Sequence, residues 1–372
     1  MGAPDGFDGP RACAPLELAP TLDLINLVFR TQRAAGPPAA PSMGWDYSHI
    51  YHQDNLHNVR IVLRAGRPVA SVAIYDTDVR TASGTLSLGG INAVATHPDY
   101  RRLGLATLTL EDCHRRMLDS GDQVGLLSTG ITNWYRKLGW ERAGRQRSFT
   151  FDRRNVAALP IPSGFDVTED WEAHLDALCA LHAAAPLGAT RTADRFALLV
   201  RRKMPRVFVA LRAGRPVAYV ATAGSAVREY GGETADVAAL LRYTFGAVED
   251  LPARSTERRG AQQGQFEMQV QTPDASGGAA GLPALLLDLG VPTALSYLGM
   301  LAVLDPPGLF AALGIDAAVE PRGDGWRLHL DGRDHDLSPG ELVKLVFGPE
   351  RRPDIAPDRF PIDFYQWPAD RV

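Results

Sequence analysis

Residues 63–73 read LRAGRPVASVA and residues 211–221 read LRAGRPVAYVA, so the chain carries one pattern twice, 148 positions apart. In each copy an Ala-Gly turn separates two alternating apolar runs, which is typical of two strands joined by a hairpin. The separation is close to one domain length. Chance similarity between two hairpins is the alternative, but we favour two copies of one mixed α/β fold.

The remaining patterns suggest where these copies begin and end. Helical periodicity at residues 173–183 and 235–245 alternates with strand-like runs, which the sequence has at 207–211, 217–222 and 265–271. A Pro- and Gly-rich cluster at 160–164 is typical of a linker. We therefore expect a first domain over residues 1–154 and a second, degenerate copy over 155–294.

A third, smaller α/β unit is predicted over residues 295–372. Its predicted helices span residues 307–313 and 338–347, and its predicted strands span 318–320 and 326–330. The last stretch, from residue 348, is rich in proline, and we expect it to be extended rather than helical. Four aromatic residues would attach this tail to the fold, namely Phe360, Phe364, Tyr365 and Trp367.

Composition and charge exclude several classes of protein. The 372 residues include 39 Lys and Arg against 43 Asp and Glu, a net charge of −4 that argues against a nucleic-acid partner. Three widely spaced cysteines exclude a disulfide framework. The N-terminus lacks the basic and apolar regions of a secretory signal, and the most apolar stretch, residues 293–304, is too short for a bilayer. We expect a cytoplasmic protein without a membrane partner.

The most informative stretch for chemistry runs from residue 91 to residue 118. An apolar strand leads into a basic turn with Arg101, Arg102 and Gly104, and a helix with one apolar face follows. Free amides at the start of that helix, its dipole and the two arginines form an anion site that suits a pyrophosphate. The sequence has neither the Lys-Ser/Thr of a Walker loop nor a Gly-x-Gly-x-x-Gly pattern. Nucleotide hydrolysis and Rossmann-type dinucleotide binding therefore lose support.

This stretch resembles the GNAT superfamily of acetyl-CoA-dependent N-acetyltransferases. Arg101, Gly104 and Ala106 match the family signature Gln/Arg-x-x-Gly-x-Gly/Ala, and residues 133–140 (NWYRKLGW) resemble the family's Tyr-x-x-x-Gly-aromatic entry into a strand. The resemblance implies that the turn amides hold the pyrophosphate of acetyl-CoA and that residues 94–96 pair with its pantetheine. The residues it assigns to acetyl-CoA are Val94, Ala95, Thr96, Arg101, Arg102, Leu103, Gly104, Leu105, Ala106, Thr107 and Asn133.

The order of the three predicted units resembles the Eis-like acetyltransferases. These proteins combine a catalytic GNAT domain, a degenerate GNAT-like copy and a C-terminal unit akin to sterol-carrier domains. The resemblance implies a homo-oligomer, a hexamer built on trimers. Moving the turn by 148 positions reaches residues 249–254 (EDLPAR), which lack the signature. We therefore expect the second copy to be catalytically silent.

Acetyl transfer needs a neutral amine, a site for the oxyanion and a proton for the leaving thiolate. The resemblance assigns the proton to Tyr135; a packed tyrosine at a strand start is the alternative. It assigns the general base to the C-terminal carboxylate of Val372, although a water relay or an already neutral amine is equally plausible for so weak a base. The resemblance also implies that the amide of Val94 or Ala95 is the oxyanion donor.

Two polar clusters could instead suggest metal ions. The segment 47–57 contains His49, His52, Asp54 and His57, but their spacing matches no tight ligand pair. In an Eis-like protein this loop borders the acceptor pocket, where Trp45, Asp46 and Tyr47 could receive a cationic amine. The cluster at 329–336 (HLDGRDHD) is typical of a solvated hairpin turn. We expect no metal at either place.

The sequence thus predicts an N-acetyltransferase that transfers the acetyl group of acetyl-CoA to a primary amine by direct attack in a ternary complex. The acceptor is a small-molecule amine or a lysine side chain, between which the sequence does not decide. The alternative is a non-catalytic protein that binds acetyl-CoA as a sensor or carries a small ligand.

Overall fold

The structure, a computed structural model, describes residues 4–30, 42–249, 266–274 and 281–371. The strands in these ranges are β1 (Phe7–Ala12), β2 (Val59–Arg64), β3 (Arg67–Arg80), β4 (Thr85–Thr96), β5 (Val124–Leu127), β6 (Glu141–Phe151), β7 (Asp166–Thr168), β8 (Gly188–Ala189), β9 (Arg206–Arg212), β10 (Arg215–Ala223), β11 (Ala226–Gly232), β12 (Met268–Pro273), β13 (Thr293–Val303), β14 (Ala318–Arg322), β15 (Gly325–Leu330) and β16 (Arg333–Leu337). The α-helices are α1 (Leu18–Phe29), α2 (Met43–Asp46), α3 (Leu105–Ser120), α4 (Thr132–Arg136), α5 (Leu175–Ala183), α6 (Ala193–Lys203), α7 (Thr234–Glu249), α8 (Leu282–Asp288), α9 (Pro306–Ala312) and α10 (Pro339–Phe347).

The repeated sequence forms the same hairpin twice, β2–β3 and β9–β10. Ala65 and Gly66 turn the first hairpin with φ of 48° and 75°, and Ala213 and Gly214 turn the second with 50° and 75°. Two successive positive φ values are typical of the tight turns that match the twist of paired strands. The predicted hairpins are therefore confirmed.

The two copies also share their topology. In the first, β1 to β4 pair antiparallel in chain order, and β4 then pairs parallel with β5 across the crossover helix α3. In the second, β7, β9, β10 and β11 pair antiparallel in that order, and β11 pairs parallel with β12 across α7. Two mixed-sheet copies in tandem were predicted, and the structure confirms them.

The copies exchange their last strands. β6, from the first copy, pairs with β12 of the second, whereas β13, which follows the second copy, pairs with β5 of the first. β6 and β13 also pair with each other, so the strands form one thirteen-stranded sheet. β13 crosses the predicted limit at residue 294 and belongs to this sheet. The domain limits at residues 154 and 294 stay predictions.

A three-stranded antiparallel sheet, β14–β15–β16, with α9 and α10 forms the small C-terminal unit. Its core is continuous with that of the first copy, because Val79 and Leu88 pack in one cluster with Phe310 and Phe347. The four tail aromatics predicted to attach the chain end are all buried, none more than 4% exposed. Across the described ranges no helix is both long and apolar enough to cross a membrane.

Candidate active site

The site lies where β4 and β5 separate. Their pairing ends at Gly90 opposite Leu126, although β4 continues to Thr96. On the other side of β4, the register with β3 shifts so that Ala93, at φ 50°, and Val94 have no partner there. A bulge of this kind redirects the backbone beside an opened strand edge. Residues 94–96 therefore lie on a part of β4 that no longer pairs with β5.

The helix α3 begins at this opening with its amides free. Gly104 is its N-cap at φ 76°, and no side chain caps the helix. The N–H groups of Leu105, Ala106 and Thr107 precede the first intrahelical bond, which Leu108 donates to the carbonyl of Gly104. A Cβ added at Gly104 would meet nothing within 4 Å. Free amides, a positive dipole end and open space are what a phosphate needs.

An open cavity of about 270 Å³ lies over this helix start. It brings together seven predicted residues, namely Thr96, Arg101, Arg102, Gly104, Leu105, Ala106 and Thr107. Tyr100 and Trp134 also line it, and the sequence analysis missed both. Their aromatic character and their positions beside the basic turn and Tyr135 were the only signals that could have identified them.

Four predicted acetyl-CoA residues do not line that cavity: Val94, Ala95, Leu103 and Asn133. Val94 lies in the bulge, and Ala95 is buried against the first copy's core. Leu103 is 48% exposed in the turn, and the Asn133 carboxamide accepts a hydrogen bond from Arg136 at 3.0 Å. These roles stay predictions.

The base of the opening is filled by side chains. Gly89 and Gly125 face each other across β4 and β5, and a Cβ at either position would collide with Met117 or Trp140 respectively. Both of those side chains are fully buried. The strand opening is therefore closed toward the core, which favours a short acyl group.

Tyr135 lies on the short helix α4 and not at the start of a strand, because Gly139 makes the turn before β6 begins. It packs in one cluster with Ile91 and Leu127, beside the point where β4 and β5 separate. Its ring lies 4.6 Å from that of Trp134. Burial raises the pKa of the phenol to about 12, so the hydroxyl keeps its proton. Val372, the expected base, lies outside the described residues.

The opposite face of β4 carries a polar and aromatic cluster. The Tyr51 hydroxyl donates to the Asn92 carboxamide oxygen at 2.6 Å, beside the bulge. The residues expected to receive a cationic amine already have partners: Asp46 pairs with Arg30, Arg202 lies over the Trp45 ring and Lys203 over that of Tyr47. The structure does not leave these groups free for an incoming cation.

Neither histidine cluster forms a metal site in the described part of the chain, where no group of three or more His, Cys, Asp or Glu side chains is arranged to hold an ion. The His329 imidazole instead bonds Asp334 at 2.7 Å across the β15–β16 hairpin. This pair lies on the two strands beside the turn, where both side chains are about half exposed.

The described residues of the second copy form no comparable cradle. Eight residues separate β4 from α3, but only Glu233 separates β11 from α7. The counterpart of the turn is therefore Glu233 and not the segment found by shifting 148 positions, because Glu249 already ends α7. Residues 250–254 lie outside the described ranges. Without a turn, α7 cannot present a free loop and helix start to a pyrophosphate.

Comparison with known proteins agrees with this geometry. A family model described as an acetyltransferase (GNAT) domain matches residues 11–143. The N-acetyltransferase Eis of Mycobacterium bovis is 34% identical over 92 residues, which are 24% of this chain and 23% of that protein. The matched segment thus spans about a quarter of that relative's length.

Two solved structures share the fold over most of the chain. A GCN5-related N-acetyltransferase from Kribbella flavida is 19% identical with a TM-score of 0.59, over 90% of this chain and 83% of that one. Eis1 from Mycobacterium abscessus is 13% identical with a TM-score of 0.57, over 92% and 90%. Residues 11–143 therefore match the acetyltransferase (GNAT) domain family, and the fold of the chain is similar to that of Eis1.

Proposed function

We propose that the protein is an N-acetyltransferase that binds acetyl-CoA at the start of α3 and transfers its acetyl group to a primary amine. The observation that carries the proposal is the free helix start at Gly104 beside the separated strands β4 and β5, with Tyr135 packed at their junction. The closed base of the opening supports a short acyl group. A cytoplasmic, homo-oligomeric protein remains part of the proposal by resemblance.

The chain's own groups suit each step of a direct transfer. A neutral amine attacks the thioester carbonyl, and the backbone amide of Val94, a residue without a register partner in β3, is the proposed donor to the oxyanion. As the carbon–sulfur bond breaks, Tyr135 gives its proton to the thiolate. Because the phenol has the higher pKa, this transfer is uphill in isolation and must be coupled to departure of the thiolate.

Two routes by which the amine loses its proton are compatible with this chemistry. The C-terminal carboxylate of Val372 remains the proposed base on the resemblance alone. A carboxylate is a weak base for an ammonium group, so an amine that is already neutral on arrival serves equally well.

Isothermal titration of acetyl-CoA into the purified protein tests the proposal before any acceptor is known. We expect one site per chain, because among the described residues the cradle is found in the first copy and not in the second. Gly104→Glu should abolish binding, since a carboxylate would occupy the place of the pyrophosphate. Gly104→Ala is the matched control: it costs about 1 kcal/mol at this positive φ but adds no charge.

Absence of acetyl-CoA binding by the unmodified protein would overturn the proposal. If the Gly104→Glu variant still binds acetyl-CoA, the binding site is not at the start of α3. Tight binding without turnover of any amine would instead favour the sensor or carrier.

A further inference from the structure

Two glycines mark the place where the strand opening ends. Gly89 and Gly125 pair with each other one position before β4 and β5 separate. A Cβ at Gly89 would collide with the Met117 sulfur, and a Cβ at Gly125 would lie 2.5 Å from the outer ring of the Trp140 indole. Only glycine leaves room for these two side chains. The strands therefore hold their backbone directly against Met117 and Trp140.

The indole of Trp140 is fixed between α3 and α4. Its N–H donates to Nε2 of His114 on α3 at 3.0 Å, and its ring centre lies 6.4 Å from that of Tyr135 on α4. Burial lowers the pKa of His114 to about 4, so the imidazole is neutral at neutral pH and Nε2 can accept this hydrogen bond. Tyr135 in turn contacts Trp134, which lines the cavity over the start of α3.

The space that the indole fills continues the strand opening. Ile91 and Leu127 follow the paired glycines by two positions, so their side chains lie on the same face of the sheet as Met117 and Trp140. All four side chains pack in one cluster, and none is more than 4% exposed. An acyl chain that extends from the opening on this face meets Ile91 and Leu127 first, and then the indole.

We propose that Trp140, together with Met117, selects a short acyl donor by filling the space that a longer acyl chain would need. The inference rests on the proposed function and names the residues that determine its acyl specificity. A methylene gains free energy only where apolar space receives it, and a packed interior does not yield that space without strain. Acetyl-CoA fits this site, whereas a medium-chain acyl-CoA does not.

The test measures the binding of acetyl-, butyryl- and octanoyl-CoA by isothermal titration without any amine, so that no transfer occurs. The unmodified protein should bind octanoyl-CoA no more tightly than acetyl-CoA. Trp140→Ala should bind octanoyl-CoA at least about tenfold more tightly than acetyl-CoA, because the vacated space can bury several methylenes. Trp140→Phe removes only the outer ring, and its preference should move to butyryl-CoA.

Phe208→Ala is the matched control. Phe208 is an aromatic side chain that is 1% exposed, and it packs in the core of the second copy. This variant also loses a large buried ring, but it should keep the acyl preference of the unmodified protein. Free CoA, which has no acyl chain, should bind to the Trp140 variants and to the unmodified protein alike.

Tighter binding of octanoyl-CoA than of acetyl-CoA by the unmodified protein would overturn the inference. An unchanged acyl preference in the folded Trp140 variants would overturn it as well, and would assign Trp140 to the fold alone. If Trp140→Ala does not fold, Trp140→Phe tests the same idea with butyryl-CoA. Failure of the unmodified protein to bind acetyl-CoA at all would instead be a failure of the proposed function.

Discussion

Tyr135 is buried beside the strand opening with a pKa of about 12, and this gives its proposed role a clear test. Tyr135→Phe removes the proton donor but keeps the packing against Trp134. We expect kcat to fall by roughly 10²–10⁴ with the Kd of acetyl-CoA nearly unchanged. In the unmodified enzyme, kcat should show no falling limb up to pH 10, since the phenol stays protonated. An unchanged kcat in the variant would remove Tyr135 from the mechanism.

Asp122 is a buried carboxyl that the proposed reaction does not use. Burial, together with the charge of Asp76, raises its pKa to about 7, and one of its oxygens has no hydrogen-bond partner within the described chain. A carboxyl whose pKa is higher in the folded state stabilises the fold below its unfolded pKa of about 4. That stability is lost as the pH rises toward 7.

Asp122→Asn removes this titration. Relative to the unmodified protein, the variant should gain roughly 2–4 kcal/mol between pH 4 and pH 8. Melting temperatures of both proteins across this range measure the gain. A difference in melting temperature that stays constant with pH would show that Asp122 does not titrate as its environment indicates.

At the level of helices and strands, the sequence patterns predicted those elements whose position depends on neighbouring residues in the chain. The helix expected after the basic turn is α3, which begins at Leu105 directly after Gly104. The predicted helices at 173–183, 235–245, 307–313 and 338–347 correspond to α5, α7, α9 and α10. Periodicity and turn residues act over a few positions, so the sequence displays them directly.

Pairing between distant strands could not be predicted in the same way. Nothing in the sequence of β13 indicates that it lies between β5 and β6, since that choice depends on which edges the rest of the fold leaves open. The same distinction between local and distant contacts applies to the residues around the candidate site. The cradle residues follow each other in the chain and were predicted, whereas the contacts of Arg195 with His49 and of Lys203 with Tyr47 form only because the second copy folds against the first.

For the whole molecule, the exchanged strands make the two copies interdependent. Without β13, the edge of β5 would be open from Val124 to Leu127, and without β12 the apolar side chains of Phe149 and Phe151 on β6 would lose their cover. Exposed edges and apolar faces of this kind promote aggregation. The sheet is therefore one structural unit, even though its sequence repeats.

A fragment of residues 1–154 contains every residue of the acetyl-CoA cradle but lacks both β12 and β13. We expect this fragment to be insoluble or only partly folded and not to bind acetyl-CoA, because the opening between β4 and β5 depends on β13 for support. The complete chain should unfold in a single calorimetric transition. Circular dichroism of the fragment and titration of acetyl-CoA into it test this prediction. The complete chain is the control in both measurements. A folded fragment that binds acetyl-CoA with the affinity of the complete chain would mean that the exchanged strands are dispensable and that the first copy is an independent domain.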